Sequence, residues 1–263
     1  MKPFGRRFAP LYRLYERRLS HQIAGGALPR HVGIILDGNR RHGREAGLSD
    51  PRRIYDAGAE KLDDVLDWCC DLGIPAVTLW VCSTENLARP EAEVAGILGA
   101  AAAKLGALAI DPRTHARAIR VAAIGRLDLL PEATLDAIRR AEAATAGHGR
   151  MLLTIAIGYG GREEIIDAVR ANLAALAEQG ASLAEAAAAI SPDSIRRHLY
   201  MPDLPDPDLI IRTSGELRLS GFLLWQSAYS EFYFTDVYWP AFRRIDLLRA
   251  IRSFQQRFRR FGR

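Results

Sequence analysis

Cysteine is scarce in this 263-residue chain. Cys69, Cys70 and Cys82 form neither a C-x-x-C motif nor a disulfide framework, which argues against a stapled secreted scaffold and for a reducing, cytoplasmic setting. No run of about 18 apolar residues stands out and no apolar h-region follows the basic N-terminus, so neither a bilayer span nor a secretory signal is expected. The chain also lacks a G-x-x-x-x-G-K-[ST] loop, and "GYGGRE" at 158–163 lacks the third glycine of G-x-G-x-x-G. Nucleotide binding therefore has little support. No shift in composition marks a second domain, and the Ala-rich stretches 100–109 and 181–190 read as ordinary helices.

What is present is an ordinary soluble composition, 49% hydrophobic and 25% charged, with a net charge of +5. That balance permits phosphorylated substrates, nucleic acid or a membrane surface as partners. Residues 8–24 place Leu11, Leu14, Tyr15 and Leu19 near helical spacing between arginines, an amphipathic basic helix. Packing on the domain edge with snorkelling arginines is its simpler reading, with at most peripheral membrane contact. We expect residues 1–28 to form this helix and a linker, and residues 29–263 to form one domain. Within that domain β-type apolar runs at 32–36, 76–82, 119–124, 151–157 and 208–211 alternate with helical stretches at 53–71, 91–109, 131–146, 162–178 and 193–199. The pattern predicts a single α/β domain with a mainly parallel central sheet flanked by helices.

Ligands of open α/β sheets bind outside the carboxyl ends of the strands, and four of those ends share a chemistry. The first run stops at Asp37-Gly38-Asn39 and continues into Arg40, Arg41 and Arg44. The second leads into "STENLARPE" (83–91), the fourth into "GYGGRE", and the fifth into "RTSGELRLSGF" with Arg212, Ser214, Arg218 and Ser220. Arginine forks and free N–H groups at a helix start suit phosphate oxygens. Asp37 is the odd member of such a site, unless a divalent cation bridges it to a diphosphate. The plainer alternative is an Asx turn capping a helix whose arginines are simply solvated.

Taken in order, "HVGIILDGNRRHGR", "TLWVCSTENLARP", "IGYGGREEIIDAV", "DLIIRTSGELRLSGFLLWQSAYSEFYFTDVYWP" and the closing "RRFG" resemble the cis-prenyltransferases, the undecaprenyl diphosphate synthase family. The leader "LYRLYERRL" and "RLSGFLLWQSAYSE" are most similar to the short-chain branch that makes (2Z,6E)-farnesyl diphosphate. The resemblance implies Mg²⁺-dependent joining of isopentenyl diphosphate to an allylic diphosphate (geranyl or farnesyl) with a new Z double bond. It also implies a homodimer that holds the growing chain in an apolar tunnel. It assigns Asp37 as the catalytic aspartate that helps hold the metal, with Glu231 as the second metal-associated carboxylate. Gly38, Asn39, Arg40 and Arg41 match the allylic diphosphate loop. Ser83, Thr84, Glu85 and Asn86 match the Ser-Thr-Glu-Asn motif, Asn86 helping proton removal, and Leu87 and Arg89 follow it. Arg212, Arg218, Leu219 and Ser220 match the isopentenyl diphosphate site. Arg260 and Gly262 match a C-terminal element that reaches across the dimer.

Some positions depart from the family. His42 and Leu87 replace tryptophans, Tyr55 replaces a histidine, and a further arginine aligns equally with Arg44, Arg52 or Arg53. Val81, two places before the Ser-x-Glu-Asn motif, matches the tunnel position that is often alanine in long-chain enzymes. Its β-branched side chain has little freedom to move aside, although Gly96, Gly99, Ala100 and Ala103 offer space nearby. A long-chain synthase making a lipid-carrier precursor is the alternative within the class, and a non-catalytic diphosphate-binding homologue is the alternative outside it. Nucleic acid is not expected as a partner, because the arginines follow strand ends beside glycines instead of interleaving with exposed aromatics.

Overall fold

The computed structural model describes residues 9–258. Six parallel strands form one sheet: β1 (His31–Ile35), β2 (Ala76–Cys82), β3 (Ile119–Ile124), β4 (Met151–Ile157), β5 (Leu209–Arg212) and β6 (Glu231–Phe234). Their spatial order is β3-β4-β2-β1-β5-β6. β2 and β5 therefore flank β1 on opposite sides, so the topology reverses about β1 and opens a crevice at its carboxyl end.

Alternation along the strands feeds two cores. Val32, Ile34, Val77, Leu79, Leu153, Ile155, Leu209 and Ile211 join the larger one. Helices α1 (Ala9–Ile23), α3 (Pro51–Leu72), α4 (Glu91–Ile110), α6 (Glu132–Thr145) and α10 (Arg244–Phe258) contribute to it as well. Ile35, Trp80, Ile124, Ala156 and Ile210 point the other way and pack with Tyr159, Phe222 and Leu223. Gly33 is small because Phe222 crosses β1 there; a Cβ would lie 2.9 Å from its ring. α1 packs against α10, with Leu19 and Ile23 buried and Leu11 and Leu14 exposed. The short helices α2 (Asn39–Glu45), α5 (Pro112–Ala116), α8 (Leu183–Ala189) and α9 (Pro192–Arg196) and the longer α7 (Gly161–Glu178) complete the set.

Three elements escaped the sequence reading, the five-residue α5 among them. β6 is only four residues, "EFYF", too short for its alternation to separate it from a loop. α10 begins just after the motif that ends in "VYWP", where the arginine-rich pattern "RIDLLRAIRSFQQRF" hides an apolar stripe. One helix passes a looser test than the continuous apolar run sought in the sequence, since Lys104 interrupts it. α4 contains an 18-residue window with mean hydropathy 1.6 and no more than two charged residues, enough by length and composition to cross a bilayer. Ala and Gly dilute its large apolar residues, which is why it reads as an ordinary helix. In the fold it packs between α3 and α6.

Candidate active site

At the carboxyl ends of β1, β2 and β5 lies a cavity of about 640 Å³. Asp37 leaves β1 with its backbone pinned. Its N–H donates to Thr213 Oγ1 at 2.9 Å, that hydroxyl donates to its carbonyl, and Trp239 N–H donates to the same carbonyl. Gly38 turns the chain at φ +100°, and a Cβ there would lie 2.7 Å from the Tyr238 ring. Its N–H donates to Asp37 Oδ1 at 2.7 Å. α2 then runs for only seven residues, so the arginines, more than an extended helix dipole, supply the positive field.

Arg212, at the end of β5, is 5% exposed. It donates to Asp37 Oδ2 at 2.8 Å, to Ser220 Oγ at 2.9 Å and to the Arg218 carbonyl. Its Nε is buried without a partner. Burial alone would raise the Asp37 pKa, but Arg212, Ser214 and the Gly38 N–H outweigh it and hold the carboxyl below its ordinary value. Arg41 donates to Ser214 Oγ at 2.6 Å and stands 3.6–3.7 Å from Glu216 and Asp37. Ser214 and Ser220 both adopt positive φ, +78° and +52°. Such backbone is sparsely populated for non-glycine residues and concentrates at functional loops.

On the β2 side, Ser83 and Asn86 brace each other. Asn86 Oδ1 accepts the Ser83 N–H and Ser83 Oγ accepts the Asn86 N–H, both at 3.2 Å. Arg89 and Arg40 approach one oxygen of Glu93 at 2.8 and 3.5 Å, and Tyr55 donates its hydroxyl to the same atom at 3.0 Å. Burial, followed by Glu93, pushes the Tyr55 phenol up to about 12. Glu93 thus orders two cationic side chains at the rim. Its spacing from Arg89 (i, i+4 at a helix start) was the available signal for it. Glu216, Trp80 and Ile97 also line the cavity and were likewise not assigned from sequence, and of Arg44, Arg52 and Arg53 it is Arg44 that joins them.

The wall brings together Asp37, Gly38, Asn39, Arg40, Arg41, Tyr55, Val81, Ser83, Glu85, Asn86, Arg89, Arg212, Arg218 and Ser220. It does not include His42, Thr84, Leu87 or Leu219. The Thr84 hydroxyl is buried without a partner, Leu87 packs on the larger core, and Leu219 packs on the smaller one. The expectation of four contributing strand ends becomes three, because "GYGGRE" turns inward. Tyr159 is fully buried and donates to Glu164, whose pKa is raised by burial. Glu231 sits at the start of β6, opposite Leu209, and binds Arg257 at 2.9 Å. Three strand residues, roughly 10 Å, separate its level from that of Arg212, so one chain does not bring Glu231 to Asp37. Arg260 and Gly262 lie outside the described residues.

A second, apolar cavity of about 60 Å³ shares Leu36, Asn39, Tyr55, Val81 and Ile97 with the first and runs between α3 and α4. An anion-binding chamber thus opens on a greasy slot. A family profile described as putative undecaprenyl diphosphate synthase matches residues 35–262. The chain is 52% identical to a (2Z,6E)-farnesyl diphosphate synthase of Thermobifida fusca, with 96% of this chain and 97% of that protein covered. It is equally identical to a tritrans,polycis-undecaprenyl-diphosphate synthase (geranylgeranyl-diphosphate specific) of Methanopyrus kandleri, covering 97% and 92%. The crystal structure of lavandulyl diphosphate synthase from Lavandula x intermedia, in complex with dimethylallyl diphosphate, superposes with a TM-score of 0.78 at 33% identity, covering 87% of this chain and 95% of that one. The fold and the cavity define a prenyl diphosphate synthase. The chain belongs to the undecaprenyl diphosphate synthase family, and it is a cis-prenyltransferase.

Proposed function

We propose that this enzyme joins isopentenyl diphosphate to geranyl diphosphate and releases mainly (2Z,6E)-farnesyl diphosphate. The observation that carries this reading is the apolar slot behind Val81. Its 60 Å³ corresponds to roughly four to six water-sized volumes, at about 10–15 Å³ for each. The small residues of α4 do not enlarge it. A Cβ on Gly96 would meet Pro51 at 3.0 Å, Gly99 faces the Arg52 guanidinium, and Ala103 is exposed. Only Ala100 and Ala101 among the alanines of α4 border the slot.

Each isoprene unit gains roughly 4 kcal/mol of burial at ~0.8 kcal/mol per carbon if space exists. A filled slot removes that gain and adds about 1–3 kcal/mol of overpacking, which favours release. Val81→Ala should therefore lengthen the product by at least one unit, read by chromatography of dephosphorylated products. A wild-type distribution centred on C50–C55 would sink the short-chain reading and leave the enzyme class intact.

The chain's own residues account for the chemistry. The allylic C–O bond breaks and its electron pair leaves on the diphosphate, whose charge Arg40, Arg41 and Arg89 offset from the wall. The isopentenyl double bond attacks the allylic carbon, one C–C bond forms, and one proton departs. Asn86, locked by Ser83, is a positioner and not a base. Asp37, held below the ordinary carboxylate range, is a weak base, which favours the released diphosphate as proton acceptor. The donor set fits a hard divalent cation shared with substrate. Asp37 presents one carboxylate at the wall, and among the described residues no group of three His, Cys, Asp or Glu forms a cage, so substrate oxygens would complete the shell. Bound there, Mg²⁺ supplies neutralising charge for the leaving diphosphate. A homodimer is supported by the exposed Tyr229, two residues before the edge strand β6. A cytoplasmic location is supported by three free, buried cysteines.

A further inference from the structure

The wall of the apolar slot carries a charge. Lys104 of α4 forms part of its wall, and Lys104 Nζ lies 2.5 Å from Asp63 Oδ1 on α3. The two side chains are 15% and 28% exposed, so the pair sits at the boundary of the protein interior. On its far side Asp63 lines a separate small cleft with Asp67, Asp111 and Arg113. There Arg113 Nη2 stands 3.6 Å from the other Asp63 oxygen and 2.9 Å from Asp111. Leu108 borders both spaces. The ion pair and Leu108 together therefore partition the slot from the polar cleft. From Ile97, shared by the slot and the diphosphate chamber, to Lys104 is about 10 Å along the helix.

We propose that Lys104, held in place by Asp63, is a specificity-determining residue that stops the growing prenyl tail. The inference rests on the prenyl-transfer reading of the two cavities given above. Lys104 borders the slot, and Asp63, which also lines the polar cleft, holds its ammonium; a long aliphatic stem can face apolar space while its charged head keeps a polar partner. A tail longer by one isoprene unit must either displace that ammonium from its carboxylate or bury methyl groups against it. Separating a poorly solvated charge from its partner is strongly unfavourable. The other residues at this end, Leu62, Leu105 and Leu108, are apolar and present no such barrier. Val81 narrows the slot near its mouth, and Lys104 closes it at the far end.

The test assays wild type, Lys104→Ala and Lys104→Arg with isopentenyl and geranyl diphosphates. Products are dephosphorylated and chromatographed, and a thermal melt confirms that each variant folds. Wild type and the arginine variant are expected to stop at C15, whereas the alanine variant shifts its main product by at least one isoprene unit. A C15 product from folded Lys104→Ala overturns the inference and leaves the short-chain reading standing. Equal lengthening in Lys104→Arg also overturns it, because loosened packing and not the lost cation would then be the cause. A wild type that already runs to C50–C55 overturns both readings. Should the alanine variant fail to fold, Lys104→Met keeps most of the stem's volume without the ammonium. A longer product from it supports the polar stop, and an unchanged C15 product overturns it.

Discussion

Asp37→Ala is expected to abolish prenyl transfer and also to lower stability. The first effect follows from its place on the cavity wall. It is the carboxylate to which the Arg212 guanidinium and the Gly38 N–H converge, and on the proposed reading it would offer a protein oxygen to a metal-bound diphosphate. A loss of at least about a thousandfold in kcat is in line with removing a major electrostatic element. The second effect comes from the fold, because the carboxylate neutralises a nearly buried cation. Arg212 is nearly buried and one of its nitrogens already lacks a partner, so the alanine variant strands a cation. Breaking a fully buried pair costs about 3–5 kcal/mol; with Asp37 itself 30% exposed, roughly 1–3 kcal/mol is the expected penalty.

Asp37→Asn separates the two effects, because the amide oxygen still accepts from Arg212. It should keep most of the stability and lose the turnover. Near-normal turnover of Asp37→Asn with Mg²⁺ present, measured beside a thermal melt, would remove Asp37 from the mechanism. The sign of the pH dependence is also fixed. Because the folded-state pKa is depressed, the stability that the Asp37–Arg212 pair contributes is complete above the unfolded carboxylate pKa of about 4 and is lost as pH falls through the lower folded value.

Arg212 and Arg218 look alike in sequence and should behave differently. Arg212→Ala removes a guanidinium that ties the end of β5 to Asp37, Ser220 and the backbone of Arg218. The loop carrying Ser214 to Ser220 loses its tether, and a cost near 3 kcal/mol would lower Tm by roughly 5–10 °C for a chain of this size. Activity should be lost with both substrates. The Arg218 side chain is 62% exposed and is held by Glu216, so Arg218→Ala should leave Tm unchanged. It should instead raise KM for isopentenyl diphosphate by roughly tenfold to a hundredfold, the worth of one charge-assisted contact. A rise in the allylic KM in its place would show that the two diphosphate subsites are assigned the wrong way round.

Much of the molecule was legible in the chain itself. Strands buried on both sides must be almost continuously apolar, so "VGIIL" and "LLTIAI" announced a parallel sheet. Parallel strands all present their carboxyl ends at one edge, so Asp37, Asn86 and Arg212 were bound to share a neighbourhood. The same logic overreached at "GYGGRE". Whether a glycine turn faces a ligand or the core depends on which neighbour its tyrosine finds, and Tyr159 found Glu164.

Local pattern determined the elements, the rim chemistry and the family motifs, because helix and strand periodicity, turn residues and charge type are written residue by residue. Tertiary structure decided which of those residues meet. It buried Arg212 against Asp37, gathered Arg40 and Tyr55 on one oxygen of Glu93, and filled the gaps at Gly96 and Gly99 with Pro51 and Arg52. It also set Lys104 against Asp63 at the end of the slot. These are contacts between segments far apart in the chain, and their distances and burial arise only once the helices pack. No spacing within either segment could encode them.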